Sequence, residues 1–131
     1  MPNGALVVDD YAHHPSEMRA TLAAAREMDF DRILCAFQPH TYTRTKALFD
    51  EFVDALGLCD LAILAPIYAA REQNTIGISS ADLAAKVPGA KSFDSFEQIA
   101  DFLRKEAKPG DLVLTMGAGN IDEVGRMLVK K

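Results

Sequence analysis

The stretch "RILCAFQ", residues 32–38, is a short and continuous run of apolar residues closed by a glutamine. Apolar residues that do not alternate with polar ones are typical of a strand covered on both faces, as in a parallel sheet. Three further runs have the same character: "ALVVDD" (5–10), "LAILAP" (61–66) and "DLVLTMG" (111–117). A weaker strand is predicted at "AKSF" (90–93). Together these runs predict a parallel sheet buried between two layers.

Helical patterns fill the intervals between these runs. Pro15 suits a first helical position, and "SEMRATLAAAREM" after it is rich in strong helix formers. The segment "TKALFDEFVDAL" (45–56) places its apolar residues on one helical stripe. Three residue pairs have the spacing of an N-terminal helix cap: Ser79 with Asp82, Asp94 with Glu97, and Asn120 with Glu123. Strand and helix in alternation predict an α/β fold, a doubly wound and mostly parallel sheet with helices on both faces, in a single domain over residues 1–131.

Composition excludes several classes of protein. The chain has 131 residues and a formal net charge of −5, and its basic residues are scattered, which argues against nucleic acid as a partner. No apolar run approaches the ~20 residues of a membrane-spanning helix, and no signal peptide is evident. We therefore expect no membrane partner and a cytoplasmic location. Cys35 and Cys59 adjoin apolar runs without forming a CxxC pair, so buried free thiols are predicted.

Polar segments follow four of the predicted strands. They are "DDYAHHP" (9–15), "QPHTYTRTK" (38–46), "PIYAAREQNTIGISS" (66–80) and "GAGNIDE" (117–123). Open parallel sheets bind their ligands beyond the carboxyl ends of the strands. The third segment is long for a strand-to-helix connection, which favours a functional loop. The opposite edge of the sheet has only short turns, so the sequence predicts a binding site at the carboxyl edge.

Several polar residues in these segments also have a structural explanation. Asp9 and Asp10 end a strand, where an acid often only caps the next helix. His13 and His14 can be solvent-exposed residues at a helix start. The chain has three histidines, His13, His14 and His40, and their spacing is not that of a metal site. We therefore expect no metal bound by these residues.

Arg44 is the most informative charged residue. It lies in the opening turn of a predicted helix, where the helix dipole disfavours a cation. An incoming anion explains this position, because guanidinium binds carboxylate or phosphate through two parallel hydrogen bonds. Arg71 in the long loop is a second candidate for substrate binding, although solvation alone also explains it. One tyrosine lies on each of three segments, where it can bind a substrate or cover the strand ends: Tyr11, Tyr42 and Tyr68.

Two common nucleotide-binding patterns are missing from the chain. "GAGNID" (117–122) has Asp122 where the last glycine of GxGxxG belongs, and it follows the last strand rather than the first. The sequence also contains no GxxxxGK[ST] phosphate loop. If ATP is a ligand, its main phosphate site therefore lies outside this sequence.

Four motifs together resemble the C-terminal domain of the Mur ligases: "VVDDYAHHPSE", "FQPHTYTRTKALFDEF", "YAAREQNTIGISS" and "GAGNIDEV". They span most of the chain and follow the family's order. "FQPHTYTRT" resembles the branch that adds L-alanine to UDP-N-acetylmuramate. The resemblance implies a Rossmann-like fold and covers only the last of three domains, since the first holds the UDP-sugar and the central one carries the ATP phosphate loop. The chain is therefore expected to be an excised domain whose partners are its own N-terminal and central domains.

The resemblance also implies an activity. ATP, with Mg²⁺ in the intact enzyme, phosphorylates the muramate carboxylate, and the amine of L-alanine attacks the acyl phosphate in cytoplasmic peptidoglycan precursor synthesis. This domain alone is expected to bind no cofactor and to be inactive. By resemblance, Asp10 and Tyr11 contact ATP, and His13 faces the nucleotide and the reacting carboxyl. His40 and Arg44 meet the alanine carboxylate and the developing phosphate charge.

One departure and two alternatives remain. Many relatives have arginine at the position of Thr41, so here the anion contact falls to Arg44 or to another residue. A stand-alone α/β module that binds a small anion or nucleotide is one alternative. A sibling Mur-type ligase with a different amino acid is the other.

Overall fold

The computed structural model describes residues 3–129, which form five strands and six helices. In chain order these are β1 (Leu6–Asp10), α1 (Pro15–Arg26), β2 (Ile33–Phe37), α2 (Tyr42–Ala47), α3 (Phe49–Leu56), β3 (Leu61–Leu64), α4 (Ser80–Ala84), β4 (Lys91–Ser92), α5 (Phe96–Glu106), β5 (Leu112–Met116) and α6 (Asp122–Val129). The strands lie in the order β1-β5-β2-β3-β4, and every pairing is parallel. The predicted strands, including the weak one at 90–93, are confirmed.

The side chains of strand β2 show that helices cover the sheet on both faces. All five of its residues are buried. Cys35 and Phe37 belong to one apolar cluster with α1, α3 and α4, whereas Leu34 and Ala36 belong to a second cluster with α5 and α6. Burying an apolar side chain of this size contributes about 1.5–3 kcal/mol. The predicted doubly wound α/β fold is thus confirmed. Cys35 and Cys59 are buried and free, as predicted.

The helical stripe over residues 45–56 is not one helix. Helix α2 ends at Ala47 and α3 begins at Phe49, because Leu48 has φ −112° and ψ 22°, outside the helical region. The apolar stripe continues across this break, so its periodicity did not reveal it. Helix α2 also begins at Tyr42, inside the segment 38–46 that the sequence treats as a connection.

Local spacing located some of the helix starts and missed others. The capping box of Ser79 and Asp82 is confirmed. The cap predicted at Asp94 is wrong by one residue, because the hydroxyl of Ser95 accepts the hydrogen bond from the N–H of Gln98 at 3.2 Å. Within residues 3–129, no helix has the length and apolar content needed to cross a bilayer.

Candidate functional site

The connections after β2 and β3 are joined beyond the ends of their strands. The N–H of Tyr68 donates to the carbonyl of Pro39, and the N–H of Thr41 donates to the carbonyl of Tyr68, both at 2.8 Å. These bonds form an isolated parallel bridge between His40 and Tyr68. The two polar segments that the sequence places at the carboxyl edge are therefore held together by their own backbones.

His40 is the centre of this edge. Its ring stacks on Tyr68 with centroids 5.4 Å apart and lies 6.0 Å from the ring of His13. Burial lowers the pKa of His40, and the nearby charge of Arg44 lowers it further, so the imidazole is mainly neutral at pH 7. Its Nδ1 atom is buried and has no hydrogen-bond partner among the described residues.

Arg44 has the same unusual property. It is half-buried, and its Nη1 atom is inaccessible to solvent and has no hydrogen-bond partner in the described part of the chain. Buried polar atoms are nearly always paired in folded proteins, because an unpaired donor loses its hydrogen bonds to water. Arg44 Nη1 is a donor, and His40 Nδ1 donates or accepts according to its tautomer, so the two atoms together indicate a site for a polar ligand. A guanidinium favours an anionic one.

Thr41 lies between these two residues in a strained conformation. Its φ of 63° and ψ of 148° are rare for a β-branched residue and cost about 1–3 kcal/mol. The conformation is held by the bond to Tyr68 and by helix α2, because the Thr41 hydroxyl accepts from the N–H of Arg44 at 3.2 Å. The Thr41 carbonyl also accepts from the hydroxyl of Thr45 at 2.7 Å. Thr41 therefore caps the helix that carries Arg44.

Gln38 attaches the loop at 117–120 to the same edge. Its buried Oε1 accepts from the N–H groups of Asn120 and Ile121 at 3.0 and 3.1 Å. Its Nε2 donates to Oδ1 of Asn120 at 3.0 Å. The Asn120 side chain is thus bound to Gln38, and the predicted cap formed with Glu123 is wrong. Helix α6 begins at Asp122 instead.

Gly119 packs where a side chain would not fit. A Cβ atom there would lie 2.6 Å from Oε1 of Gln38 and 2.8 Å from the Tyr68 ring. We expect Gly119→Ala to destabilise the fold by about 1–3 kcal/mol through overpacking. The midpoint of urea unfolding measures this. Gly57→Ala is the matched control, because its Cβ would make only ordinary contacts of 3.4 Å or more. Equal midpoints for the two variants would contradict the packing.

The carboxylate of Asp10 shapes the connection after β1. Its Oδ1 accepts from the N–H of Ala12 at 2.8 Å, and its Oδ2 accepts from the hydroxyl of Thr21 at 3.1 Å. Each oxygen keeps a lone pair for a ligand. Tyr11 next to it is exposed. The contacts of Asp10 and Tyr11 with ATP stay predictions.

His13 is held by its own turn. Its Nδ1 donates to the carbonyl of Tyr11 at 3.1 Å, because a carbonyl oxygen can only accept. Glu17 accepts from the N–H groups of His14 and His13 at 3.1 and 3.3 Å. These backbone bonds lower the pKa of the Glu17 carboxyl. The bond to Glu17 also holds the backbone of His13, whose ring lies 6.0 Å from the ring of His40.

Arg71 stands apart from this cluster. It is exposed, has φ 75°, and makes no hydrogen bond or ion pair with the rest of residues 3–129. Its role in substrate binding stays a prediction. Three residues that shape this edge were not identified from the sequence. They are Gln38, Gly119 and Glu72, whose carboxylate accepts from the N–H groups of Tyr42 and Thr43. A glutamine closing a buried strand was an available signal for Gln38, whereas nothing local distinguishes Glu72.

Comparison with known proteins identifies the family of the chain. Residues 1–119 match the family model described as the Mur ligase, glutamate ligase domain. The chain belongs to this family. The resemblance noted on four sequence motifs is thereby confirmed.

Individual relatives agree with the family. This Mur ligase domain is 54% identical to UDP-N-acetylmuramate–L-alanine ligase of Agathobacter rectalis and 53% identical to that of Lachnospira eligens, over 98% of the chain. It spans only 29% of the length of each relative. A crystal structure of UDP-N-acetylmuramate-alanine ligase from Thermotoga maritima superposes with a TM-score of 0.72 at 26% identity, over 94% of this chain and 25% of that one.

Proposed function

We propose that this domain is the C-terminal part of an ATP-dependent ligase that joins L-alanine to UDP-N-acetylmuramate through an acyl phosphate. One observation carries the proposal: His40 Nδ1 and Arg44 Nη1 are buried polar atoms with no partner in the described chain. Every substrate of this reaction carries a carboxylate or a phosphate. The relatives from Agathobacter rectalis and Lachnospira eligens are UDP-N-acetylmuramate–L-alanine ligases, which supports the choice of substrates.

Arg44 and His40 would act electrostatically and by orientation. The guanidinium of Arg44 binds an anionic group of the reactants, either the alanine carboxylate or the phosphate whose charge develops as the amine attacks. A neutral His40 with its hydrogen on Nδ1 donates a second bond without adding charge. Holding the amino acid in this way orients its amine towards the acyl phosphate, which lowers the entropic part of the barrier.

The nucleotide would be shared with the rest of the enzyme. We place ATP and its Mg²⁺ mainly on a central domain, because this chain has no phosphate loop. Asp10, with spare lone pairs, and the exposed Tyr11 fit a contact with ATP from this side. Residues 1–131 would then form one domain that closes over the other two and completes a cytoplasmic enzyme.

The test uses the intact protein encoded by the whole gene. Phosphate release from Mg-ATP is followed with UDP-N-acetylmuramate, and amino acids are added one at a time. We expect release only with L-alanine, and none when UDP-N-acetylmuramate is omitted. Release that requires another amino acid would identify a sibling ligase. No release with any amino acid would favour a binding module for a small anion or nucleotide.

A further inference from the structure

We propose that Glu72 is a positioning residue for the anion site, since its carboxylate fastens the long loop at 66–80 to the start of helix α2. The kinetic part of this inference rests on the proposed function. Glu72 does not need to touch a substrate for this role. It would act through Arg44, the third residue of α2, and through His40 just before that helix.

The contacts of Glu72 are specific for a helix N-terminus. Its Oε1 accepts from the N–H groups of Tyr42 and Thr43 at 2.8 and 3.1 Å, and its Oε2 accepts from the hydroxyl of Thr43 at 2.8 Å. The first N–H groups of a helix have no acceptor within the helix. The Thr41 hydroxyl accepts from the N–H of Arg44, and Glu72 satisfies the N–H groups of Tyr42 and Thr43 from 30 residues away along the chain. The hydrogen bonds from Thr43, with that from Tyr42, lower the pKa of the Glu72 carboxyl.

Helix α2 depends on such external support. It has six residues, and isolated helices shorter than about 12–15 residues are marginal in water. Its N-cap, Thr41, is held at a strained φ of 63°. If the bonds to Glu72 are lost, the strain at Thr41 is opposed only by the bond to Tyr68 and by the bonds of Thr41 to the helix. Arg44 would then lose its fixed direction.

The loop is shaped to present Glu72. The two preceding residues, Ala70 and Arg71, have φ values of 49° and 75°, which side chains other than glycine rarely adopt. The N–H of Glu72 closes this turn by donating to the carbonyl of Ala69 at 2.9 Å. A costly backbone conformation at two successive residues thus places one carboxylate against α2. This accounts for the unusual backbone conformation of Arg71 without requiring Arg71 to bind a ligand.

The experiment compares Glu72→Gln with Glu51→Gln in the full-length protein, because Glu51 is an exposed acid of α3. We expect Glu72→Gln to raise KM for L-alanine about tenfold, which corresponds to about 1.4 kcal/mol of binding free energy. KM for ATP should change less than about twofold. Glu72→Asp keeps the charge and should restore part of the affinity. Hydrogen exchange should show faster exchange at the amides of Tyr42 and Thr43 in Glu72→Gln alone.

Each outcome decides the proposal. Unchanged KM for L-alanine in an active enzyme would overturn it, even if the two amides exchange faster. A raised KM with unchanged exchange would also overturn it, because Glu72 would then contact the substrate itself. If the wild type shows no alanine-dependent turnover, the proposed function fails, and amide exchange still tests whether Glu72 holds α2. Should Glu72→Gln unfold, Glu72→Asp must show the same pattern at a smaller amplitude.

Discussion

Arg44→Ala is expected to lower kcat/KM of the intact enzyme for L-alanine by about 100- to 1000-fold, the usual cost of removing one preorganised electrostatic contact in an active site. The reason is the placement of Arg44. Its Nη1 is buried without a partner in the described chain, and the N–H of the same residue is fixed by Thr41 at 3.2 Å. We therefore expect the guanidinium to be oriented for an anion before the substrate arrives.

Arg71→Ala is the matched comparison and should change kcat/KM less than about threefold, since an exposed arginine without partners is mostly solvated. Steady-state phosphate release at varied L-alanine measures both variants. Arg44→Lys keeps the charge but loses the planar fork, and should recover only part of the activity. Comparable rates for Arg44→Ala and Arg71→Ala would refute the assignment of Arg44, provided that both variants have the unfolding midpoint of the wild type.

Arg32→Ala should be the most destabilising of the charge substitutions, at about 3 kcal/mol. Arg32 lies at the opposite edge of the sheet and donates to both oxygens of Asp111 at 2.7 and 3.3 Å. It also donates to the carboxylate of Glu106 at 3.0 Å and to the carbonyl of that residue at 2.9 Å. The Asp111 side chain is only 2% exposed. Without Arg32, a buried charge would lose its partner, although Arg32 itself is one-third exposed, which moderates the loss.

Urea unfolding of the chain tests this expectation. Arg19→Ala is the control, because its ion pair with Asp54 is exposed and spans 3.7 Å. Such surface pairs contribute about 0–1 kcal/mol. Similar midpoints for the two variants would mean that the contacts of Arg32 contribute no more to the free energy of unfolding than a surface ion pair does.

The contribution of the Arg32–Asp111 ion pair to stability should depend on pH. Burial alone would raise the pKa of Asp111, but hydrogen bonds from Arg32 and from the N–H of Lys108 outweigh it and lower that pKa. A carboxyl with a lowered folded pKa contributes stability above its unfolded pKa of about 3.9, and this is lost as pH falls through the folded value. The stability difference between the wild type and Arg32→Ala should therefore narrow below about pH 4. A difference that is independent of pH would contradict this account.

Local features of the sequence were sufficient to predict the strands of the sheet and the start of one helix. Continuous apolar runs such as residues 33–37 predict strands buried on both faces, because each strand presents successive side chains to opposite layers. The Ser79–Asp82 spacing predicted a capping box, since both partners lie within one helical turn. The sequence also predicted Arg44 near the start of a helix, and that helix begins at Tyr42. The role of Arg44 in binding an anion stays a prediction.

Only the tertiary structure decided which distant residues complete that site. The strand order β1-β5-β2-β3-β4 brings Gln38 to Asn120 and the long loop to helix α2, across separations of 82 and 30 residues. Hydrophobic periodicity contains no information about such pairs, because it reports which face of an element is buried and not which element covers it. Periodicity did not reveal the break at Leu48 either, because the apolar stripe is continuous on both sides of it. The sequence by itself thus determined the layers, the carboxyl edge and the charged residue at that edge. Packing and long-range hydrogen bonds decided how Arg44 and His40 are held there.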